Sequence, residues 1–162
     1  MSTIHSTYYD YQFFDNHHSG KVPPVKFRCE RDVLAEALTT AGRAATSRTG
    51  TLPVLEGLHV SVVGDELSIT GTDLDMAIKI VTEVGGIADG AVVVPARLSA
   101  DAVKSLPAGA VEFATDTETD TVTISAGRSQ FSLRSYNVDD YPAPVDPVAD
   151  AVTVEAARFS DA

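Results

Sequence analysis

The sequence predicts an α+β domain, two helices packed on an antiparallel sheet. Three observations carry this reading: two stretches with apolar residues at helical spacing, at least six short runs alternating with period two, and turn residues between nearly all of them. The chain has 162 residues and is 44% hydrophobic. At about 150 residues per domain that is one domain with a small remainder, and it needs neither disulfide nor metal to fold.

Residues 1–24 stand apart. Tyr8, Tyr9, Tyr11, Phe13 and Phe14 lie close to His5, His17 and His18 with no sustained period, which reads as a flexible extension. Regularity begins at Val25, where Val25, Phe27 and Cys29 alternate with Lys26, Arg28 and Glu30 as a short strand. Leu34, Ala37, Leu38, Ala41 and Ala45 then form one apolar helical face, opposite Glu36, Thr39, Thr40 and Arg43. The turn residues at 47–53 end that helix and leave Arg48 in a loop or at the helix end.

A meander follows. Leu58, Val60 and Val62 make one strand, Gly64-Asp65 the turn, and Leu67 and Ile69 begin a returning strand whose period continues through Met76, Ile78 and Ile80. After glycine-rich turns at 85–90, the run 91–94 reads as a buried strand, and Pro95 opens a second helix over about 96–106. Leu98, Ala102 and Leu106 share one face of that helix, while Arg97 and Lys104, seven apart, share another. Three further strands come from Val111 with Phe113, Val122 with Ile124, and Phe131 with Leu133. A stiff proline-rich linker spans 142–147, and residues 152–162 repeat the opening strand-to-helix pattern. The domain plan is therefore an extension at 1–24, a first unit at 25–147 and the start of a truncated second unit at 148–162.

Several function classes drop out. No phosphate loop, nucleophile elbow, HExxH or CxxC motif occurs, so no catalytic residue is assigned. His17 and His18 make a poor preorganised metal site. Asp73 with Asp75, and Asp139 with Asp140, lack a third ligand nearby and read as turn and surface residues. Neither a metal nor a cofactor is expected. Cys29 is the single cysteine, which favours a reducing compartment. No apolar run approaches the roughly 20 residues that span a bilayer, so a cytoplasmic protein with no membrane partner is expected. A net charge of −11 argues against holding nucleic acid by bulk attraction. The cations nevertheless concentrate on or beside the helices, at Arg43, Arg48, Arg97 and Lys104, an asymmetry suited to weak phosphate contact. Solubility alone also places Arg and Lys on helix surfaces.

Five segments, 26–38, 51–58, 67–76, 94–107 and 125–142, together resemble the first domain of the bacterial sliding clamp family, the beta subunit of DNA polymerase III. The resemblance runs over about residues 26–162 and implies the DNA-clamp fold, with helices lining a hole and a curved antiparallel sheet outside. It implies a two-subunit, head-to-tail ring that encircles double-stranded DNA, is opened by an ATP-driven loader and tethers the replicative polymerase without catalysing anything. Arg48 occupies the place of a family arginine that touches the duplex, and Arg97 and Lys104 on the second helix are further candidate DNA contacts. Glu36 departs from a basic lining. Arg128, Gln130, Phe131 and Leu133 match the edge strand that pairs with the neighbouring subunit. The pocket for polymerase and loader peptides lies in later domains absent here, so the chain reads as an N-terminal fragment. Family chains begin Met-Lys-Phe, and Val25-Lys26-Phe27 stands where that start falls, which implies natural initiation at Val25. The alternative is a truncated, stand-alone module that binds a clamp subunit without encircling DNA.

Overall fold

In the computed structural model the described residues are 23–45 and 52–142. Residues 1–22 of the extension at 1–24, Arg48, and the second-unit segment at 148–162 lie outside them. The order is β1 (Lys26–Glu30), α1 (Arg31–Ala41), a 3-10 turn (Pro53–Glu56), β2 (Gly57–Val63), β3 (Glu66–Thr72), β4 (Ala77–Glu83), β5 (Gly85–Ala88), β6 (Gly90–Pro95), α2 (Ala96–Ser105), β7 (Ala110–Asp116), β8 (Thr121–Ala126), β9 (Ser129–Arg134) and a short 3-10 turn (Val138–Asp140). All strand pairs are antiparallel, in a five-stranded sheet ordered β5-β1-β7-β8-β9 and a four-stranded one ordered β4-β3-β2-β6.

The sheet is thus divided in two, and the division falls at residues the pattern leaves as turns. β5 is a strand that glycine-rich composition hides: Gly85 and Gly86 pair with Arg28 and Phe27 of β1. Glycine is required at Gly86, where a Cβ would overlap the Gly64 carbonyl oxygen. The period running from Ile69 through Met76 also hides a break. Thr72 ends β3, Leu74 takes a φ of 78°, and Met76 is half exposed in the turn. The Asp73 carboxylate holds this turn by accepting from the backbone N–H groups of Asp75 and Met76.

Both helices pack on the sheets and against each other, α1 over β1, β3 and β4, α2 over β6 and β9. Leu34, Leu38 and Ala41 of α1 meet Phe27, Leu58, Val60, Leu67, Ile69, Val103, Phe113, Val122 and Ile124 in one core, most of them wholly buried. Each such aliphatic or aromatic side chain contributes about 1.5–3 kcal/mol on burial. Phe27 and Phe113, directly paired across β1 and β7, stack at 4.8 Å between ring centroids. Small residues let α1 settle deeply: a Cβ on Gly71 of β3 would overlap the Ala41 carbonyl oxygen.

One face of α2 differs from expectation. Leu98 is 57% exposed, while Ser99, Ala102 and Val103 are buried. The Ser99 hydroxyl makes this possible by donating to the Pro95 and Ala96 carbonyls, so a polar side chain is satisfied within its own helix. A satellite cluster on the opposite side of the four-stranded sheet joins Val54, Leu55, Val93 and Tyr141, with Tyr136 bridged to Val93.

Candidate functional site

Two surfaces gather the residues singled out by sequence: the outer face of the helix layer and the edge of β9, which among the described residues has no second strand partner. The helix layer is positioned by a specific tie. Arg31 begins α1, and its Nη1 donates to the carbonyls of Lys104 and Leu106 at 3.3 and 3.4 Å, where α2 ends. Those carbonyls have no further helical turn to satisfy them, and a cation there also complements the helix dipole. The Arg31 backbone N–H donates to Gly109, and Nη2 lies 2.9 Å from Asp32. The start of one helix is thereby fixed to the end of the other. Pattern reading overlooks Arg31; its signal is an arginine opening a helix in a chain whose other helix ends at a proline.

On this layer Arg97 stands almost fully in solvent at the first turn of α2, its Nε 3.9 Å from the Asp101 carboxylate one turn on. Lys104 is exposed in the last turn, and Arg43 is exposed just beyond α1. Asp32, Glu36 and Asp101 are exposed among them. Three cations against three carboxylates make the described part of this face near neutral, on a chain of net charge −11. Val33 and Leu98 add apolar contact area at 42% and 57% exposure. Arg48 falls between α1 and the first 3-10 turn, outside the described residues.

At the other surface, β9 closes one end of the five-stranded sheet, with β8 as its hydrogen-bonded neighbour. Phe131 lies opposite Ile124 and Leu133 opposite Val122, so both point to the helix side. Leu133 packs against the core and Phe131 remains 37% exposed. Gln130 is exposed on the other face and Arg128 in the turn before the strand. The structure brings Arg128, Gln130, Phe131 and Leu133 together on one edge, and Arg97 and Lys104 together on one helix.

The remaining titratable groups serve the fold. Glu112 accepts from Arg28 and lies 3.1 Å from Lys26, which together hold its carboxyl below the usual range on the outer face of β1 and β7. Burial, with Glu30 adding to it, pushes the Cys29 thiol up to about 11, so it stays a protonated, poorly nucleophilic thiol. Tyr141 donates to the Thr70 carbonyl, and burial pushes its phenol up to about 12. His59 packs against the Tyr141 ring, and burial, then the Lys79 charge, holds its imidazole below the ordinary value. Among the described residues, no three His, Cys, Asp or Glu side chains gather as metal ligands, and no helix is long and apolar enough to cross a membrane.

Two helices laid side by side over paired antiparallel sheets, with β9 last in the five-stranded one, define a domain of the DNA-clamp class. Residues 25–145 match the sequence model described as DNA polymerase III beta subunit, N-terminal domain. The chain therefore belongs to the bacterial beta sliding clamp family. It is 37% identical over 119 residues to the beta sliding clamp of Streptomyces coelicolor, covering 74% of this chain and 31% of that protein. It is 35% identical over 138 residues to the one from Micrococcus luteus, covering 85% of this chain and 44% of the relative. The solved sliding clamp of Bacillus subtilis superposes with a TM-score of 0.71 at 29% identity, covering 75% of this chain and 34% of that one. The Caulobacter crescentus clamp superposes with a TM-score of 0.70 at 31% identity, covering 75% and 32% of the respective chains. The chain thus spans between about a third and under half of these relatives' length.

Proposed function

We propose that this chain is the leading part of a ring-forming processivity factor of DNA replication, a cytoplasmic, non-catalytic sliding clamp that encircles duplex DNA as a homodimer and tethers the replicative polymerase. The helix layer faces the duplex, with Arg48, Arg97 and Lys104 touching phosphates, and the β9 edge, through Arg128, Gln130, Phe131 and Leu133, meets the neighbouring subunit. Residues 25–147 form the first domain and 148–162 begin the second; contacts to DNA polymerase III and the loader belong to later domains. Residues 152–162 repeat the opening strand-to-helix pattern, which supports a second unit starting here.

The observation that carries this reading is the near-neutral helix layer of an otherwise acidic protein. A ring held by topology needs no strong ionic grip, and a weak one lets it slide. A hybrid tests it: residues 25–145 replace the matching domain of the Bacillus subtilis clamp, and retention is measured on nicked circular DNA before and after linearisation. The hybrid dimer is expected to stay on circles and run off linear ends. With Arg97→Ala and Lys104→Ala together, loading weakens irrespective of DNA sequence and its salt dependence becomes shallower. A hybrid that fails to dimerise, or dimerises and is not retained on circles, overturns the proposal.

A further inference from the structure

The end of α2 is closed by another element as much as by itself. Pro107 follows the helix and offers no N–H, so the last carbonyls need donors from elsewhere. The Ser105 hydroxyl donates to Asp101, and the Leu106 N–H donates to Val103. The carbonyls of Lys104 and Leu106 both accept from Arg31 Nη1, 73 and 75 residues away in sequence.

Lys104 is the group that local chemistry would put there. A lysine in the last turn of a helix hydrogen-bonds the terminal carbonyls and answers the negative end of the helix dipole. Here that place is taken. Lys104 is exposed and, among the described residues, its ammonium has no ion pair or hydrogen-bond partner. Arg31, by contrast, is only 25% exposed, with Nη2 2.9 Å from Asp32, so it is itself committed to the fold. Its Nε is buried with no acceptor among the described residues. Such an orphaned N–H is costly and calls for a reason. A lysine would have no Nε to orphan, but only the planar fork of arginine reaches two carbonyls and a carboxylate together.

We propose that Arg31 is a positioning residue for DNA contact: by capping α2 from outside, it keeps the Lys104 ammonium off its own helix end and free for a duplex phosphate. The phosphate contact rests on the function proposed above, whereas the release of Lys104 rests on the α2 carbonyls alone. A lysine folded onto carbonyls must break those bonds before it meets a phosphate. A free one has nothing to give up.

Amine labelling of the 162-residue chain tests the release of Lys104. An acylating reagent at limiting concentration is followed lysine by lysine through peptide masses, with Lys79, exposed on β4, as the internal reference. In Arg31→Met, Lys104 is expected to react several-fold more slowly relative to Lys79, because its ammonium now lies on the vacated carbonyls. A merely structural role predicts the opposite sign, since fraying of the α2 end leaves Lys104 as reactive as before or more so. Arg31→Lys restores one donor and is expected to return most of the parent rate. Circular dichroism confirms that each variant is folded under the labelling conditions. A Lys104 rate that is unchanged or raised in Arg31→Met overturns the proposal.

The hybrid clamp tests the phosphate contact. Arg31→Met is expected to weaken loading several-fold and to make its salt dependence shallower by about one released counterion, as Lys104→Ala does. In the Lys104→Ala background it is expected to add nothing. Parent-like loading of the Arg31→Met hybrid overturns the proposal, and so do additive losses, since Arg31 would then act by another route. A hybrid that is not retained on circles strikes the ring reading instead, and the labelling result stands or falls without it.

Discussion

β1 and β9 are written in the same code and do opposite things. Each is a short strand with a phenylalanine on its helix-side face, Phe27 in one and Phe131 in the other. Phe27 is wholly buried against Phe113, with β5 and β7 on either side. Phe131 is 37% exposed because, among the described residues, β8 alone pairs with its strand. Alternation selects which face turns inward; the number of neighbours decides whether that face becomes core or contact surface. The same comparison holds within the helices, where Leu34 and Leu38 are buried and Leu98 stands in solvent.

The contrast has measurable consequences. Phe113→Ala removes one ring of the central stack and should cost about 3–5 kcal/mol, a large part of a domain's total stability, read by urea unfolding. Arg31→Met keeps the side-chain length but leaves the α2 carbonyls without their donor, and should cost about 1–2 kcal/mol. A loss near that of Phe113→Ala would mean that the helix tie, not the central stack, organises the domain. Phe131→Ala should cost about 1 kcal/mol or less in the isolated chain, since much of that ring is already in water. A larger loss would place Phe131 in the core and remove the distinction between centre and edge.

The smallest effect is the pH response of His59. Its folded value lies below the unfolded one near 6.5, so the unfolded chain takes up the proton first. Stability is fully present above about pH 6.5 and declines as pH falls toward the folded value. Melting temperatures of the parent and His59→Gln, followed from about pH 7.5 to about 5.5, should converge if this histidine carries the slope.

Much of this architecture is legible in the residues. Leu58, Val60 and Val62 announce a one-sided strand, and the spacing of Leu34, Leu38 and Ala41 a helix, because burying an apolar face is the chief local demand on a soluble chain. Legibility fails where long-range contacts outvote the pattern. Gly85 and Gly86 look like a turn yet form a strand, since β1 supplies the pairing and Gly64 leaves room for nothing larger. Leu98 looks like core, but self-satisfied Ser99 and small Ala102 take the inner positions beside Val103.

At the site, the cations Arg97 and Lys104 and the edge residues Arg128, Gln130, Phe131 and Leu133 are visible from motif and spacing. Arg31 is not, because its partners are carbonyls more than 70 residues away. The amino-acid order alone determined both helices, the apolar faces of α1 and of the regularly alternating strands, and the family, since these follow from periodicity and local motif. Which strands stand at sheet ends, which helix ends meet and where charge is diluted on the surface were decided only by tertiary packing. Those properties depend on neighbours distant along the chain, and no local pattern encodes how many neighbours a strand will have.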